Sequence, residues 1–227
     1  MTPPSSPTRG RPARLDRART VHTALALLDE SGLDALTMRR LADALGVQAG
    51  ALYRHFATKQ DLLTAMAEHM LGQAADAADA AETTPADDWS RRVAHLARAL
   101  RTALLAHRDG ARLFAGTHAT GPNTLRFADN LTGALRQAGF DDEQAARALY
   151  AITHFTTGHT LEEQATLHPG TGQPPEAGLL REAVTAGTYP HLAATLPTLT
   201  STDYTTHFEY GLHLLLSGLH TTRQSTH

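Results

Sequence analysis

Residues 36–63 read LTMRRLADALGVQAGALYRHFATKQDLL, and the spacing within them decides the fold. Met38, Leu41, Ala42 and Leu45 recur at i, i+3, i+4 and i+7, which is one apolar face of a helix. Thr37 stands where an N-cap hydroxyl is wanted and Gly46 where the C-terminal turn is wanted, so the spacing predicts a helix of about eight residues. A further short segment, Gln48 to His55, buries little beyond Leu52 and ends near Phe56. Lys59 then opens a longer helix with Leu62, Leu63, Met66 and Met70 inward. Upstream, Val21, Ala24, Leu25 and Leu28 repeat the pattern from Asp16 onward, and Gly32 stops it. Two short helices joined at Gly46-Val47 behind a supporting helix form a helix-turn-helix, whose second helix enters a DNA major groove.

On that second helix Leu52 faces inward, while Ala49, Gly50, Tyr53 and Arg54 share the opposite face. Small residues there let the backbone approach base edges. Arg54 offers a bidentate fork to guanine, and Tyr53 can donate to phosphate or pack on a thymine methyl. His55 and Lys59 fall near the DNA backbone, Lys59 at a helix N-terminus whose amides also suit a phosphate. Periodicity alone leaves a second reading open, a small three-helix bundle with an ordinary charged surface.

Outward from this module, residues 1–14 combine three early prolines with Arg9, Arg11 and Arg14, a composition that suits a flexible basic arm. The whole chain of 227 residues is 41% hydrophobic and carries a net charge of −3, enough apolar content for one or two packed domains. Residues 1–70 hold nine Arg/Lys against seven Asp/Glu, so the front end is the basic end. The absence of cysteine excludes a disulfide framework, a thiolate zinc site and a cysteine nucleophile. No apolar stretch follows the N-terminal arginines as a signal peptide requires, and the longest aliphatic block, Leu214 to Leu216, is far below the ~20 residues of a spanning helix. The expectation is a soluble, cytoplasmic protein.

Beyond Gly72 an alanine-rich run with regularly spaced acids gives way to Thr83-Thr84-Pro85, and the domain boundary is placed near Met70. Trp89, Val93, Leu96, Leu100 and Leu104 outline a long helix ending at the turn His107 to Gly110, with a short helical stretch to Thr117. Further helices are expected at about Pro122–Ala138 and Asp142–Leu167, followed by a loop at His168–Pro175. A last helix, Asp203 to His220, spaces Tyr204, Phe208, Leu212, Leu215 and Leu219 along one stripe, with Gly211 and Gly218 available for close helix approach. No strand pattern competes. The expected organisation is all-α: a flexible arm at 1–14, a three-helix helix-turn-helix DNA-binding domain at 15–70, and a helical ligand-binding and dimerisation domain at 71–227.

The run Leu36-Thr37-Met38-Arg39-Arg40-Leu41-Ala42, then Leu45-Gly46-Val47, then Ala51 to Phe56, Lys59 and Leu62-Leu63 resembles the DNA-binding domain of the TetR family of bacterial repressors. The resemblance spans about residues 15–71. It implies a homodimer whose C-terminal domain binds a small-molecule inducer and whose N-terminal domain binds a palindromic double-stranded operator. By position, Thr37, Arg39, Tyr53, His55 and Lys59 resemble the family's DNA contacts, while Ala49, Gly50, Ala51 and Arg54 fall where residues vary with operator sequence.

A weaker resemblance continues through Trp89, the His107–Ala111 turn, Gly116-Thr117, His154-Phe155-Thr156 and Leu161-Glu162 into the tetracycline-repressor branch. That branch binds a magnesium–drug chelate. Counting from the shared turn, its metal-ligating histidine falls on Phe114, its drug-reading asparagine on Leu96, the neighbouring aromatic on Leu100 and the arginine beside the metal on His118. Phenylalanine cannot ligate magnesium, which wants oxygen ligands and water. The resemblance therefore implies a more apolar pocket of Leu96, Leu100, Phe114, Thr117, His118, Thr153 and His154, closed by Glu162 of the second subunit, with no metal and no cofactor.

Fourteen histidines raise a metal-enzyme alternative, since His154, His159, Glu162, Glu163 and His168 fall within fifteen residues. The spacing argues against it: a helical zinc pair wants i, i+4, and His154 and His159 are five apart. No nucleophile elbow, phosphate loop or zinc motif accompanies them. A non-enzymatic repressor is the reading adopted, against a ligand-insensitive DNA binder and a helical metal enzyme.

Overall fold

The computed structural model describes residues 16–80, 88–167 and 176–224, and among these there are eleven α-helices and no strand. The expected arm at 1–14 and the loop at His168–Pro175 lie outside the described residues. α1 (Arg17–Ser31) starts at Asp16, whose carboxylate accepts the Arg19 N–H at 2.6 Å. Arg17 and Arg19 thus lie in the first turn of this helix. α2 (Met38–Leu45) is capped by Thr37, which accepts the Arg40 N–H at 3.2 Å, and ends at Gly46 with φ of 66°, a left-handed turn that glycine makes without Cβ strain.

α3 is only Ala49–Leu52, and Tyr53 to His55 form a turn where the sequence predicted helix. α4 (Lys59–Ala80) begins with a reciprocal cap in which Thr58 and Asp61 each accept the other's N–H, at 3.0 and 2.9 Å. It runs unbroken through Gly72 and the alanine-rich segment, past the boundary expected near Met70, so one helix belongs to both halves of the molecule.

The larger half is built on α5 (Trp89–Leu105), α6 (Gly110–Ala115), α7 (Pro122–Gln137), α8 (Asp142–Leu167) and α11 (Tyr204–Gln224). α4 packs on α5, α6 and α7, while α8 packs on α5, α6, α7 and α11. Val93, Leu100, Leu104, Leu131, Leu135, Ile152, Phe208 and Leu212 join one core with the head residues Leu28, Leu41 and Leu52. Along α11 the inward side chains are Phe208, Leu212 and Leu216; Leu215, expected on that stripe, is half-buried. Gly211 does serve close approach, to α8 of the same chain, since a Cβ there would lie 2.5 Å from the Phe155 ring. Gly218 faces open space. Two helices were not read from the sequence, α9 (Glu176–Ala186) and α10 (Pro190–Leu199). They pair with each other and leave Leu179, Tyr189, Leu192 and Leu199 exposed.

Candidate DNA-binding surface and effector pocket

The Gly46 turn delivers α3 at a fixed angle to α2, and the fully buried Leu52 and Phe56 pin it from beneath. Outward, Arg39, Gly50, Tyr53, Arg54 and Lys59 are exposed. A Cβ at Gly50 would meet nothing within 4 Å, so the fold itself does not require glycine there; what glycine leaves is a low outer surface. Ala49 and Ala51 are half-buried, Ala49 packing on the core instead of standing on the open face. Thr37 is exposed and used as the α2 cap. His55 is half-buried, and its carbonyl accepts from Arg17 Nη1 at 3.1 Å, while the same guanidinium lies 4.6 Å over the Phe56 ring. The first turn of α1 thereby braces the end of the recognition segment.

A polar clasp that sequence reasoning missed joins this head to the body. Asp29 near the end of α1 accepts the Arg108 N–H at 2.9 Å and faces His107 Nδ1 at 3.0 Å. Asp109 accepts the Leu33 N–H at 2.8 Å, and Arg112 pairs with Asp34 through two bonds of 2.9 and 2.8 Å. That guanidinium holds the Asp34 carboxyl below its ordinary value. Asp109 adopts φ of 56°, a strained conformation for a residue with a Cβ. The available signals were local, the Gly32 stop and the Arg108-Asp109-Gly110 turn; neither names a partner nearly eighty residues away.

In the body, Leu96 and Leu100 are buried core residues of α5, and Phe114 and Thr117 are half-buried around α6. Thr117 donates its hydroxyl to the Phe114 carbonyl at 2.9 Å. Gln164 fixes the orientation of α8, because it accepts the Ala111 N–H at 2.9 Å and donates to the Leu104 and His107 carbonyls at 2.9 and 2.8 Å. At about 100° per residue, Thr153, Thr156 and Thr157 lie on the same face of α8 as Gln164, two to three turns before it. Their three hydroxyls are buried without a hydrogen-bond partner, whereas Thr160 donates normally to the Thr156 carbonyl at 2.7 Å. Buried hydroxyls are ordinarily satisfied, so three orphans on one strip mark a polar wall. Glu162 is half a turn away and exposed, off the wall of its own chain. His118 and His154 are also exposed, His154 lying 5.5 Å from the Tyr150 ring.

Beneath this wall Arg101 forms a two-pronged ion pair with Glu163, at 2.9 and 2.7 Å, with side chains 14% and 9% exposed. His159 packs 5.3 Å from Phe208, and burial above all, with Arg101 and His207 adding to it against Glu163, holds its pKa below the ordinary 6.5. Of the histidine-acid cluster suggested by the sequence, among the described residues only His159 and Glu163 meet, 3.9 Å apart on successive turns of α8; His154 and Glu162 are exposed, and His168 lies outside the described residues. Among the described residues no group of three or more His, Asp or Glu side chains is arranged to hold a metal ion, and no helix is long and apolar enough to cross a membrane.

Comparison with known proteins places this geometry among relatives. Residues 21–66 match the family model "Bacterial regulatory proteins, tetR family", and residues 81–223 match "Tetracyclin repressor-like, C-terminal domain". The class C tetracycline repressor protein of Escherichia coli is 39% identical over 216 residues, covering 94% of each chain. The crystal structure of a possible TetR family transcriptional regulator from Streptomyces coelicolor A3(2) is 72% identical, with a TM-score of 0.83 over 91% of this chain and 100% of that one. The Streptomyces coelicolor TetR family protein ActR, solved in complex with actinorhodin, is 34% identical, with a TM-score of 0.80 over 93% of this chain and 99% of that one.

Proposed function

The chain belongs to the tetR family of bacterial regulatory proteins, and from that premise we propose that it is a transcriptional repressor which binds a pseudo-palindromic operator as a homodimer and is released by a small molecule. The observation that carries the DNA-binding part is the pinned helix-turn-helix, with Arg39, Gly50, Tyr53, Arg54 and Lys59 exposed around it. In this reading Arg54 and Gly50 meet base edges, while Arg39, Tyr53, Lys59 and the α2 cap Thr37 hold phosphates; Ala49, Ala51 and His55 shape the surface from behind. Dimerisation is supported by uncovered apolar groups on the outer faces of α8 and α11, namely Tyr150, Tyr210 and Leu214. Two heads in successive major grooves require half-sites about 34–36 Å apart.

The effector pocket we propose lies between α5, α6 and the threonine strip of α8, with Leu96, Leu100, Phe114 and Thr117 as apolar and hydroxyl walls and Thr153 on the strip. His118 and His154 sit at its rim, and Glu162 reaches the pocket of the second subunit. The Asp29, Asp34 and Asp109 clasp supplies a physical route from α6 to the head, because any shift of α6 pulls on the α1–α2 turn. The reading includes a cytoplasmic, non-catalytic protein with a basic arm at 1–14, a head at 15–70 and a body at 71–227, the two halves sharing α4.

Selection of bound fragments from sheared genomic DNA at about 150 mM salt, where sequence-independent binding is suppressed, tests this function. Recovery of one pseudo-palindrome is expected. Recovery of random fragments, or of none, refutes it.

A further inference from the structure

A cleft of about 560 Å³ opens at the junction of head and body, away from the α5–α6–α8 pocket. α1 contributes Arg17, Val21 and His22, α4 contributes Ala65 and His69, and the turn into α7 contributes Pro122. One side of it is built around Glu68 of α4. That carboxylate accepts the N–H groups of Asn123 and Thr124 at 3.0 and 2.9 Å and the Thr124 hydroxyl, while Asn123 Nδ2 donates to the Glu68 carbonyl at 3.1 Å. A Cβ on Gly121 would lie 2.4 Å from the Glu68 carboxyl, so a side chain there would displace that carboxylate from the α7 amides. The first amides of α7 and the one carboxylate lining the cleft therefore satisfy each other.

The remaining polar lining is Arg17, His22, His69 and the hydroxyls of Thr64 and Thr120, with His69 Nε2 3.4 Å from Gln73 Nε2. The His22 and His69 rings meet edge to face with centroids 4.7 Å apart, one from each wall. Arg17, an exposed residue, commits Nη1 to the His55 carbonyl and lays its guanidinium over the Phe56 ring, which leaves its other N–H groups without a protein acceptor among the described residues. Val21, Ala65 and Pro122 supply apolar surface between these groups. A small molecule with a flat hydrocarbon body and one negative charge satisfies both halves of that lining: the body covers the apolar floor, and the charge meets Arg17 and the imidazoles.

We propose that this cleft is a second effector site, selective for small aromatic carboxylates. Its walls come from α1 in the head and from α4 and α7 in the body, so an occupant ties the two together and changes operator affinity. That consequence rests on the repressor reading; binding itself does not. Burial, together with His22 and His107, keeps His69 deprotonated more readily than a free imidazole, and an arriving anion favours its protonated form. The charged and titratable groups around His69 are Arg17 and His22 on α1, Glu68 on α4 and His107 at the end of α5.

The test uses the full chain with 2-naphthoate as probe and 2-naphthalenemethanol as its uncharged counterpart, both by isothermal titration. The expected result is one naphthoate per chain with a Kd below about 1 mM and binding of the alcohol at least about tenfold weaker. Ala18→Trp, at an exposed α1 position on the cleft wall, is expected to abolish naphthoate binding, and His22→Gln to weaken it about tenfold. No naphthoate binding, equal binding of the alcohol, or unchanged binding by Ala18→Trp would each overturn the proposal. Operator selection without probe is run on the same preparations, so failure of the repressor reading shows up separately.

Discussion

Removing Glu163 from beneath the α8 wall should cost the protein a large part of its stability, and the reason can be worked from the geometry. Arg101 donates twice to the Glu163 carboxylate with both side chains almost fully enclosed, so the two charges are desolvated together. In Glu163→Leu the guanidinium keeps the Thr205 hydroxyl at 3.3 Å, the Phe208 ring at 5.1 Å and a longer-range attraction to Glu209, none of which replaces the two lost bonds. An uncompensated buried charge of this kind costs about 3–5 kcal/mol. Arg101→Met should cost about as much by stranding the carboxylate. The double variant Arg101→Met/Glu163→Leu replaces the pair by apolar groups of similar size, and its loss should be under about 1 kcal/mol. Urea unfolding at one fixed protein concentration, as a dimer requires, measures all four corners of the cycle. Single variants that each lose under about 1 kcal/mol, with losses that simply add in the double, would refute the argument that the pair is a desolvated unit.

Three further outcomes are expected. Tyr53→Ala and Lys59→Ala remove exposed groups with no share in the core, so each should weaken operator binding about tenfold or more with the unfolding midpoint unchanged; wild-type affinity in a gel-shift titration removes the residue from the contact surface. Thr156→Val replaces a fully buried, unpartnered hydroxyl by a methyl of equal size, and should leave thermal stability equal or higher by up to about 1 kcal/mol while impairing inducer-driven release of DNA. A lower melting temperature with a normal inducer response would contradict the polar-wall assignment. His69 and His159 are both held below 6.5, chiefly by burial, so the unfolded chain takes up protons first as the medium is acidified. Their contribution is full above pH 6.5 and is lost as the pH falls from there through the lower folded-state values. His69→Gln/His159→Gln should flatten the stability profile between about pH 7.5 and 5.5, and an unchanged slope counts against these two residues as its source.

The helix-turn-helix was legible because its signals act within one turn of chain. Thr37 and Gly46 bracket α2 whatever surrounds it, and the apolar spacing of Met38, Leu41 and Ala42 points one face inward. The reading erred where local signals compete with packing. α3 looked longer because Tyr53 and Arg54 continue a helical spacing, yet both are exposed, and the chain turns off after the buried Leu52 to bring Phe56 into the core. α4 looked shorter because glycine and repeated acids weaken a helix, yet packing on α5 and α7 carries it to Ala80. α9 and α10 were not legible because the adjacent Leu179 and Leu180 in one and the internal Pro197 in the other blur any stripe, and neither helix has a broad interface within the chain to impose one. For the proposed effector pocket, the family resemblance supplied Thr153 and a Glu162 turned toward the second subunit, and Glu162 is exposed on its own chain; nothing local marked His154 as exposed.

Sequence by itself determined the all-helical class, the head with its recognition segment, the Thr37 cap and Gly46 turn that bracket α2, and the apolar faces that make the core. These depend on hydrogen bonds and burial patterns spanning three or four residues, and such patterns are written in order along the chain. Tertiary structure alone decided what each carboxylate meets: Asp29 the Arg108 backbone N–H, Glu68 the first amides of α7, Glu163 the Arg101 guanidinium, and Glu209 that of Arg98 across 111 residues. A carboxylate selects its partner by distance in space, and that distance exists only once the helices have packed.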